Sequence, residues 1–73
     1  MRRIATIGTS MITDDFIQVV NANDQAAFVG TLSRDANRGA AFTAERDGER
    51  TFISLDELAA AADVDAVFNE SDL

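Results

Sequence analysis

Apolar residues are grouped into short runs that predict β-strands. Residues 3–8 form a β-branched run closed by a glycine. Residues 26–32 are almost continuously apolar, as in a strand buried on both faces of a parallel sheet. Two further runs, at residues 51–53 and 64–68, are shorter. The pattern therefore predicts about four strands.

The segments between these runs have helical spacing. The first helix is predicted to bury the apolar residues Ile12, Phe16, Val19 and Val20. The second covers residues 35–46 and is predicted to bury the small residues Ala36, Ala40, Ala41 and Ala44. The third begins at a capping box, in which the side chains of Ser54 and Glu57 each bond the other's backbone amide. Its predicted inner face is Leu55, Leu58, Ala59 and Ala62.

Strands and helices thus alternate in the order βαβαβαβ. This order predicts an α/β fold with a parallel sheet, right-handed crossovers and helices on both faces. The third strand follows Asp47 and Gly48, which end the second helix. All 73 residues belong to one predicted domain, 1–73, since the sequence has no linker and no internal repeat.

The amino-acid composition limits which cell compartment and which kinds of partner are expected for this protein. The sequence has no cysteine and no histidine, which excludes disulfides and ordinary zinc sites and fits a cytoplasmic protein. No apolar run approaches the roughly 20 residues that cross a bilayer, so no membrane association is expected. A chain this short buries only roughly 60% of its unfolded surface, which predicts a homo-oligomer that adds buried area.

Charge argues against one class of partner and permits another. The net charge of −7 disfavours nucleic acid, which is bound by basic patches. All six arginines nevertheless lie in residues 1–50, whereas residues 51–73 carry six acids and no base. A small anion is therefore expected to bind in the arginine-bearing part.

The turn after the first strand is a candidate phosphate site. Dinucleotide-binding folds carry G-x-G-x-x-G/A here, because the pyrophosphate approaches bare backbone at a helix N-terminus. In this sequence Gly8 stands at the first glycine position, with Ser10 at the second and Thr13 at the third. The alternative for Gly8 is a tight strand-to-helix turn that requires positive φ.

The patterns R-I-A-T-I-G-T-S-M-I-T, F-V-G-T-L-S-R-D, F-I-S-L-D-E-L and D-V-D-A-V-F occur in this order from Arg3 to Phe68. Together they resemble the N-terminal half of the glucose–fructose oxidoreductase/inositol dehydrogenase (Gfo/Idh/MocA) family. The resemblance implies a partial Rossmann fold that binds NAD(P), followed in the family by a second domain that holds a sugar-like substrate. Several family members have a serine at the second glycine position, so Ser10 is a tolerated departure.

The resemblance also implies which residues contact the cofactor. They are Gly8, Thr9, Ser10, Met11, Ile12, Ser33, Arg34 and Arg38. Arg34 and Arg38, four residues apart at a helix start, are expected to share the 2′-phosphate of NADP. NAD is the alternative, with Asp35 on the ribose hydroxyls. Ser33 has a second interpretation as the N-cap of the second helix, and both arginines have one as solvated residues paired with Asp35 or Glu45.

The end of the sequence departs from the family pattern. Asn69 and Glu70 stand where buried strand residues are expected, and the sequence has no lysine to act as the family's acid/base group. We therefore expect a truncated domain that binds a dinucleotide without catalysing hydride transfer alone, so whether to call the chain an enzyme stays open. The last strand is expected at an open sheet edge, where a second copy would pair. The alternative function is a non-enzymatic oligomerisation module built on a Rossmann remnant.

Overall fold

The structure is a computed structural model, which describes residues 1–70. Its elements along the chain are β1 (Arg2–Ile7), α1 (Met11–Asn21), β2 (Ala26–Leu32), α2 (Ala36–Glu45), α3 (Leu55–Ala59) and β3 (Ala66–Asn69). The predicted α/β class is confirmed, and the two long runs and the segments between them form the elements expected of them.

The sheet has three parallel strands in the order β2-β1-β3. The sequence predicts about four strands, but residues 51–53 contribute only an isolated parallel bridge between Leu32 and Phe52. The bridge lies beside β2, where the additional strand of a Rossmann-type sheet would lie. β3 occupies an edge of the sheet as predicted, while the homo-oligomer predicted from that edge stays a prediction.

One irregularity brings two segments of backbone very close together. The register between β1 and β2 shifts after Ile4, so that Ala5 pairs with Gly30 and Val29 has no partner in β1. The Val29 carbonyl instead accepts the amides of Glu49 at 2.7 Å and Arg50 at 3.1 Å. A Cβ at position 30 would collide with the Arg50 carbonyl, which is why a glycine stands there.

The core consists of two apolar clusters, one on each face of the sheet. The first contains Ala5, Val29, Phe52 and Leu58. The second contains Ile17, Val20, Phe28 and Phe42. Neighbouring residues of β2 belong to different clusters, so this strand is covered on both faces as predicted. Helices α1 and α2 cover one face, and α3 covers the other with the segment that contains Phe52.

The predicted inner faces of the helices need correction. In α1 the buried residues are Thr13, Ile17 and Val20, whereas Ile12 and Val19 are 54% and 68% exposed. In α2 the buried residues are Gly39, Phe42 and Thr43, and the predicted alanines are exposed. In α3 only Leu58 is buried. These helices carry apolar residues on more than one side, so spacing alone does not select the side that meets the sheet.

A network of charged side chains closes the amino end of the sheet. The Arg3 guanidinium pairs with Glu49 and with Asp63, and Asp63 also pairs with Arg50 at 2.6 Å. The backbone amide of Arg3 donates to the Asp65 carboxylate at 2.8 Å, next to the start of β3. These bonds tie β1, the segment before the Phe52 bridge and the start of β3 together.

Candidate functional site

A cleft of about 380 Å³ opens at the carboxyl end of the sheet. It begins at Ile7 and Leu32, the last residues of β1 and β2, and is bounded by the loops that follow these strands. The other lining residues are Gly8, Thr9, Ser33, Arg34, Asp35, Arg38 and Glu70. Ligands of open parallel α/β sheets bind at this end of the strands, and the volume falls within the usual range for ligand pockets.

The glycine turn is held in a conformation that favours glycine. Gly8 has φ of 115°, a region that L-residues rarely adopt. Its amide donates to the Leu32 carbonyl at 3.1 Å, and the buried Thr31 hydroxyl lies 2.7 Å from the Gly8 carbonyl oxygen. Both bonds fix the turn to β2, so the backbone between β1 and α1 has a defined shape.

The N-terminus of α1 presents hydrogen-bond donors toward the cleft. Ser10 is the N-cap, but its side chain makes no capping bond within the helix. Its hydroxyl instead donates to the Glu70 carboxylate. The Ser10 amide donates to the same carboxylate at 3.3 Å and the buried Thr13 hydroxyl at 2.7 Å. Three donors thus converge on one anionic group.

The local electrostatics favour that anion. The hydrogen bond from the Ser10 hydroxyl, followed by that from Thr13, lowers the pKa of Glu70 below its usual value. The helix dipole of α1 acts in the same sense, because the N-terminal end of a helix carries partial positive charge. The arrangement is chemically an anion-binding site, and a carboxylate from the end of β3 occupies it.

The loop after β2 supplies the cationic side of the cleft. Asp35, and not Ser33 as the alternative interpretation has it, is the N-cap of α2: its carboxylate accepts the Arg38 amide at 3.1 Å. The Ser33 hydroxyl accepts the Asp35 amide at 3.3 Å. Arg34 precedes the cap, so the two arginines are not one helical turn apart, but both line the cleft. Within residues 1–70 neither guanidinium has a carboxylate partner, whereas Arg3, Arg46 and Arg50 all do.

The structure brings most of the predicted site residues together. Gly8, Thr9, Ser33, Arg34 and Arg38 line the cleft, and Ser10 lies beside it at the start of α1. Met11 and Ile12 do not line it, and both side chains are largely exposed.

Sequence reasoning missed two side chains at this site. Thr13 contributes a buried hydroxyl, and its place at the third fingerprint position was the signal for it. Glu70 contributes the carboxylate, and its signal was a charge where the family pattern has an apolar residue. Residues 1–70 hold no group of three or more potential metal-ligating side chains, and no helix among them is long and apolar enough to cross a membrane.

Comparison with known proteins identifies the family to which the chain is similar. Residues 2–69 match the family model GFO_IDH_MocA, described as an oxidoreductase family with an NAD-binding Rossmann fold. A curated relative, the NADP⁺-dependent scyllo-inositol 2-dehydrogenase IolU of Bacillus subtilis, is 35% identical over 68 residues. That alignment covers 93% of this chain and 21% of the relative, so the chain spans about a fifth of the relative's length.

Solved structures share the fold. A protein of Desulfitobacterium hafniense assigned as an NADPH-dependent oxidoreductase superimposes with a TM-score of 0.84 at 18% identity, over 93% of this chain and 20% of that one. GenD2 from gentamicin A biosynthesis, crystallised in complex with NAD, superimposes with a TM-score of 0.83 at 20% identity, over 93% of this chain and 19% of that one. At these identities the likeness establishes the fold alone.

Proposed function

The chain belongs to the GFO_IDH_MocA oxidoreductase family, and on that premise we propose that it binds NADP at the carboxyl end of its sheet. The observation that carries the proposal is the position of Arg34 and Arg38. Both line the cleft beside the glycine turn, and neither has a carboxylate partner within residues 1–70. Two unneutralised guanidinium groups next to a dinucleotide-type turn suit a phosphate that NAD lacks.

The remaining contacts fit the same ligand. The pyrophosphate would lie against Gly8 and the N-terminus of α1, where it would accept from the Ser10 amide and the hydroxyls of Ser10 and Thr13, the three donors that contact Glu70 in this structure. The adenosine ribose with its 2′-phosphate would lie across the loop that carries Arg34 and Arg38. Asp35, the residue that would favour NAD, already accepts the Arg38 amide as the cap of α2. This bond engages the carboxylate on which the NAD alternative depends.

In this proposal the chain binds and orients the cofactor, and the nicotinamide supplies the hydride chemistry. The NADP⁺-dependent relative supports the NADP assignment, while the NAD complex of GenD2 keeps NAD as the alternative. The sequence contains no lysine and no histidine. We therefore do not expect the 73-residue chain to reduce a substrate alone, since it lacks the lysine that the family resemblance implies as the acid/base group.

The test is a parallel titration of the chain with NADPH and NADH, followed by nicotinamide fluorescence. We expect NADPH to bind more tightly than NADH. Arg34→Ala and Arg38→Ala should each weaken NADPH binding roughly tenfold, because each removes a hydrogen bond between charged groups. NADH affinity should change little in either variant.

The control is Arg2→Ala, which removes the same charge from an exposed position at the amino end of β1. It should leave both affinities unchanged. Equal binding of NADPH and NADH, with Asp35→Ala weakening NADH, would transfer the assignment to NAD. If neither NADPH nor NADH binds at millimolar concentration, the proposal is wrong.

A further inference from the structure

The Glu70 carboxylate occupies the place where a dinucleotide phosphate would bind. Three donors at the start of α1 contact this carboxylate: the Ser10 amide, the Ser10 hydroxyl and the Thr13 hydroxyl. These are the donors assigned above to the cofactor pyrophosphate. A carboxylate and a phosphate share the relevant chemistry, since both are anions that accept hydrogen bonds at a helix N-terminus.

The space above the glycine is filled by the same side chain. A Cβ built on Gly8 would collide with the Glu70 carboxyl group. The Glu70 carboxyl group therefore lies in the space next to Gly8 that a pyrophosphate would occupy. Two anions cannot share this position, because they repel each other at contact distance and compete for the same donors.

The contact also changes how α1 is capped. An N-cap serine ordinarily accepts a backbone amide of the first helical turn. In this chain the Ser10 hydroxyl donates to Glu70 and makes no capping bond to the helix. The first turn is thus arranged to donate outward to an anion, which is the arrangement that a bound phosphate requires.

We propose that the Glu70 side chain is an internal competitor of the cofactor pyrophosphate, so that the dinucleotide binds only after this side chain leaves the glycine turn. The inference rests on the proposed function, because it names the group that controls access to the same site. Glu70 immediately follows β3 and lies outside its pairing with β1. Its side chain can therefore rotate away without breaking the sheet. The apparent association constant for the cofactor equals the intrinsic constant multiplied by the fraction of molecules in which the site is open.

The experiment measures anion binding to the ¹⁵N-labelled chain by NMR, with the amide shifts of Gly8, Thr9 and Ser10 as the readout. The probes are NADP⁺ and inorganic pyrophosphate. Glu70→Ala removes the competitor, and Glu70→Gln retains its length without its charge. Glu45→Ala is the matched control, because Glu45 is the last residue of α2 and its side chain is 72% exposed. The amide spectrum also reports whether each variant is folded.

We expect Glu70→Ala to bind both probes at least roughly tenfold more tightly than the unmodified chain, as for a site closed about nine-tenths of the time. Glu70→Gln should fall between the two, and Glu45→Ala should match the unmodified chain. If Glu70→Ala is unfolded, the comparison of Glu70→Gln with Glu45→Gln decides the question in the same way.

The other outcomes separate the two proposals. If NADP⁺ binding is unchanged or weaker in the Glu70 variants, the proposal that Glu70 competes with the cofactor is wrong and the proposed function stands. Glu70 would then have a structural role in connecting β3 to α1. Tighter pyrophosphate binding by the Glu70 variants without any NADP⁺ binding would overturn the dinucleotide function and, with it, competition between Glu70 and a cofactor. If no variant binds either probe, both proposals are wrong.

Discussion

Arginines lie at both ends of the parallel sheet, but their surroundings differ. At the amino end Arg3 and Arg50 are paired with Glu49 and Asp63. At the carboxyl end Arg34 and Arg38 line a cleft and have no carboxylate partner within residues 1–70. The carboxylate at that end, Glu70, is bonded to hydroxyl and amide groups of α1 instead.

The difference separates charges that hold the fold from charges available to a ligand. At the amino end the charges of Arg3 and Arg50 are matched by carboxylates, so the network connects segments distant in sequence and leaves neither guanidinium available to a ligand. At the carboxyl end cation and anion are both present but do not pair with each other. A net charge of −7 hides this distribution, because the local arrangement of charges determines what can bind.

The largest expected effect comes from the segment that joins the two ends. Phe52 is 2% exposed in the core, and its backbone bonds to both Thr31 and Ser33. Phe52→Ala should cost about 3–5 kcal/mol, comparable with the total stability of a chain this small. It should therefore abolish cooperative unfolding in urea, as monitored by far-UV circular dichroism. Ile53→Ala, at an exposed neighbour, should change stability by less than about 0.5 kcal/mol. Equal losses in the two variants would contradict the core assignment.

A smaller effect tests the strained turn at the carboxyl end. Gly8→Ala should cost about 1–3 kcal/mol, because alanine disfavours φ of 115° and its Cβ meets Glu70. Adding Glu70→Ala removes the collision but not the backbone strain, so the double variant should recover part of the loss. Urea midpoints of the four proteins in this cycle provide the measurement. Strictly additive losses would show that Gly8 and Glu70 are not in contact.

The sharpest test of the comparison removes one arginine from each end. Arg50→Ala should lower the urea midpoint, because it breaks the pair with Asp63, and should leave NADPH affinity unchanged. Arg34→Ala should do the reverse, with stability kept within about 0.5 kcal/mol. The expected result is a crossed pattern in two assays. If both variants changed the same property, the division between structural and ligand-binding charges would be wrong.

The smallest effect concerns acid. The hydrogen bond from Arg50 holds the pKa of Asp63 far below its usual value, and that from Arg3 lowers the pKa of Glu49. Lowered carboxyl pKa values give stability that is present above the unfolded-state pKa and is lost as pH falls through the folded-state pKa. The urea concentration at the unfolding midpoint should therefore decrease when the pH is lowered below about 4. Asp63→Asn should be less stable than the unmodified chain at pH 6, with a gap that narrows on acidification. Asp24→Asn, in an exposed turn, should show a constant gap.

The sequence predicted the elements better than the contacts between them. The bounds of β2 agree with the predicted run, and α2 lies within the predicted range, because long apolar runs and glycine boundaries are local signals. The buried face of α1 was predicted only in part: Val20 is buried and Phe16 packs against the core, whereas Ile12 and Val19 are exposed. Positions 12, 16 and 19 and positions 13, 17 and 20 both have helical spacing, and the second set contains a threonine. Only the position of the sheet selects Thr13, Ile17 and Val20.

The candidate site shows the same limit. The glycine turn and the arginine loop follow directly from their strands, so their meeting at one sheet edge could be predicted. The bond between Ser10 and Glu70 joins residues 60 positions apart and depends on how β3 pairs with β1. No local pattern encodes that contact. The departure of Glu70 from an apolar pattern was visible, but its consequence required the three-dimensional arrangement.

The central position of β1 has a consequence for folding during synthesis. Strand β1 is synthesised before β2 and β3, and it pairs with β2 on one side and with β3 on the other. Its contact with the start of β3, between Arg3 and Asp65, spans 62 positions. Until that late segment emerges, one hydrogen-bonding edge of β1 stays open to any other nascent chain. Because closing so long a loop is entropically costly, pairing of β1 with β3 is a late event in the folding of this sheet, and β1 is fully paired only after β3 has been made.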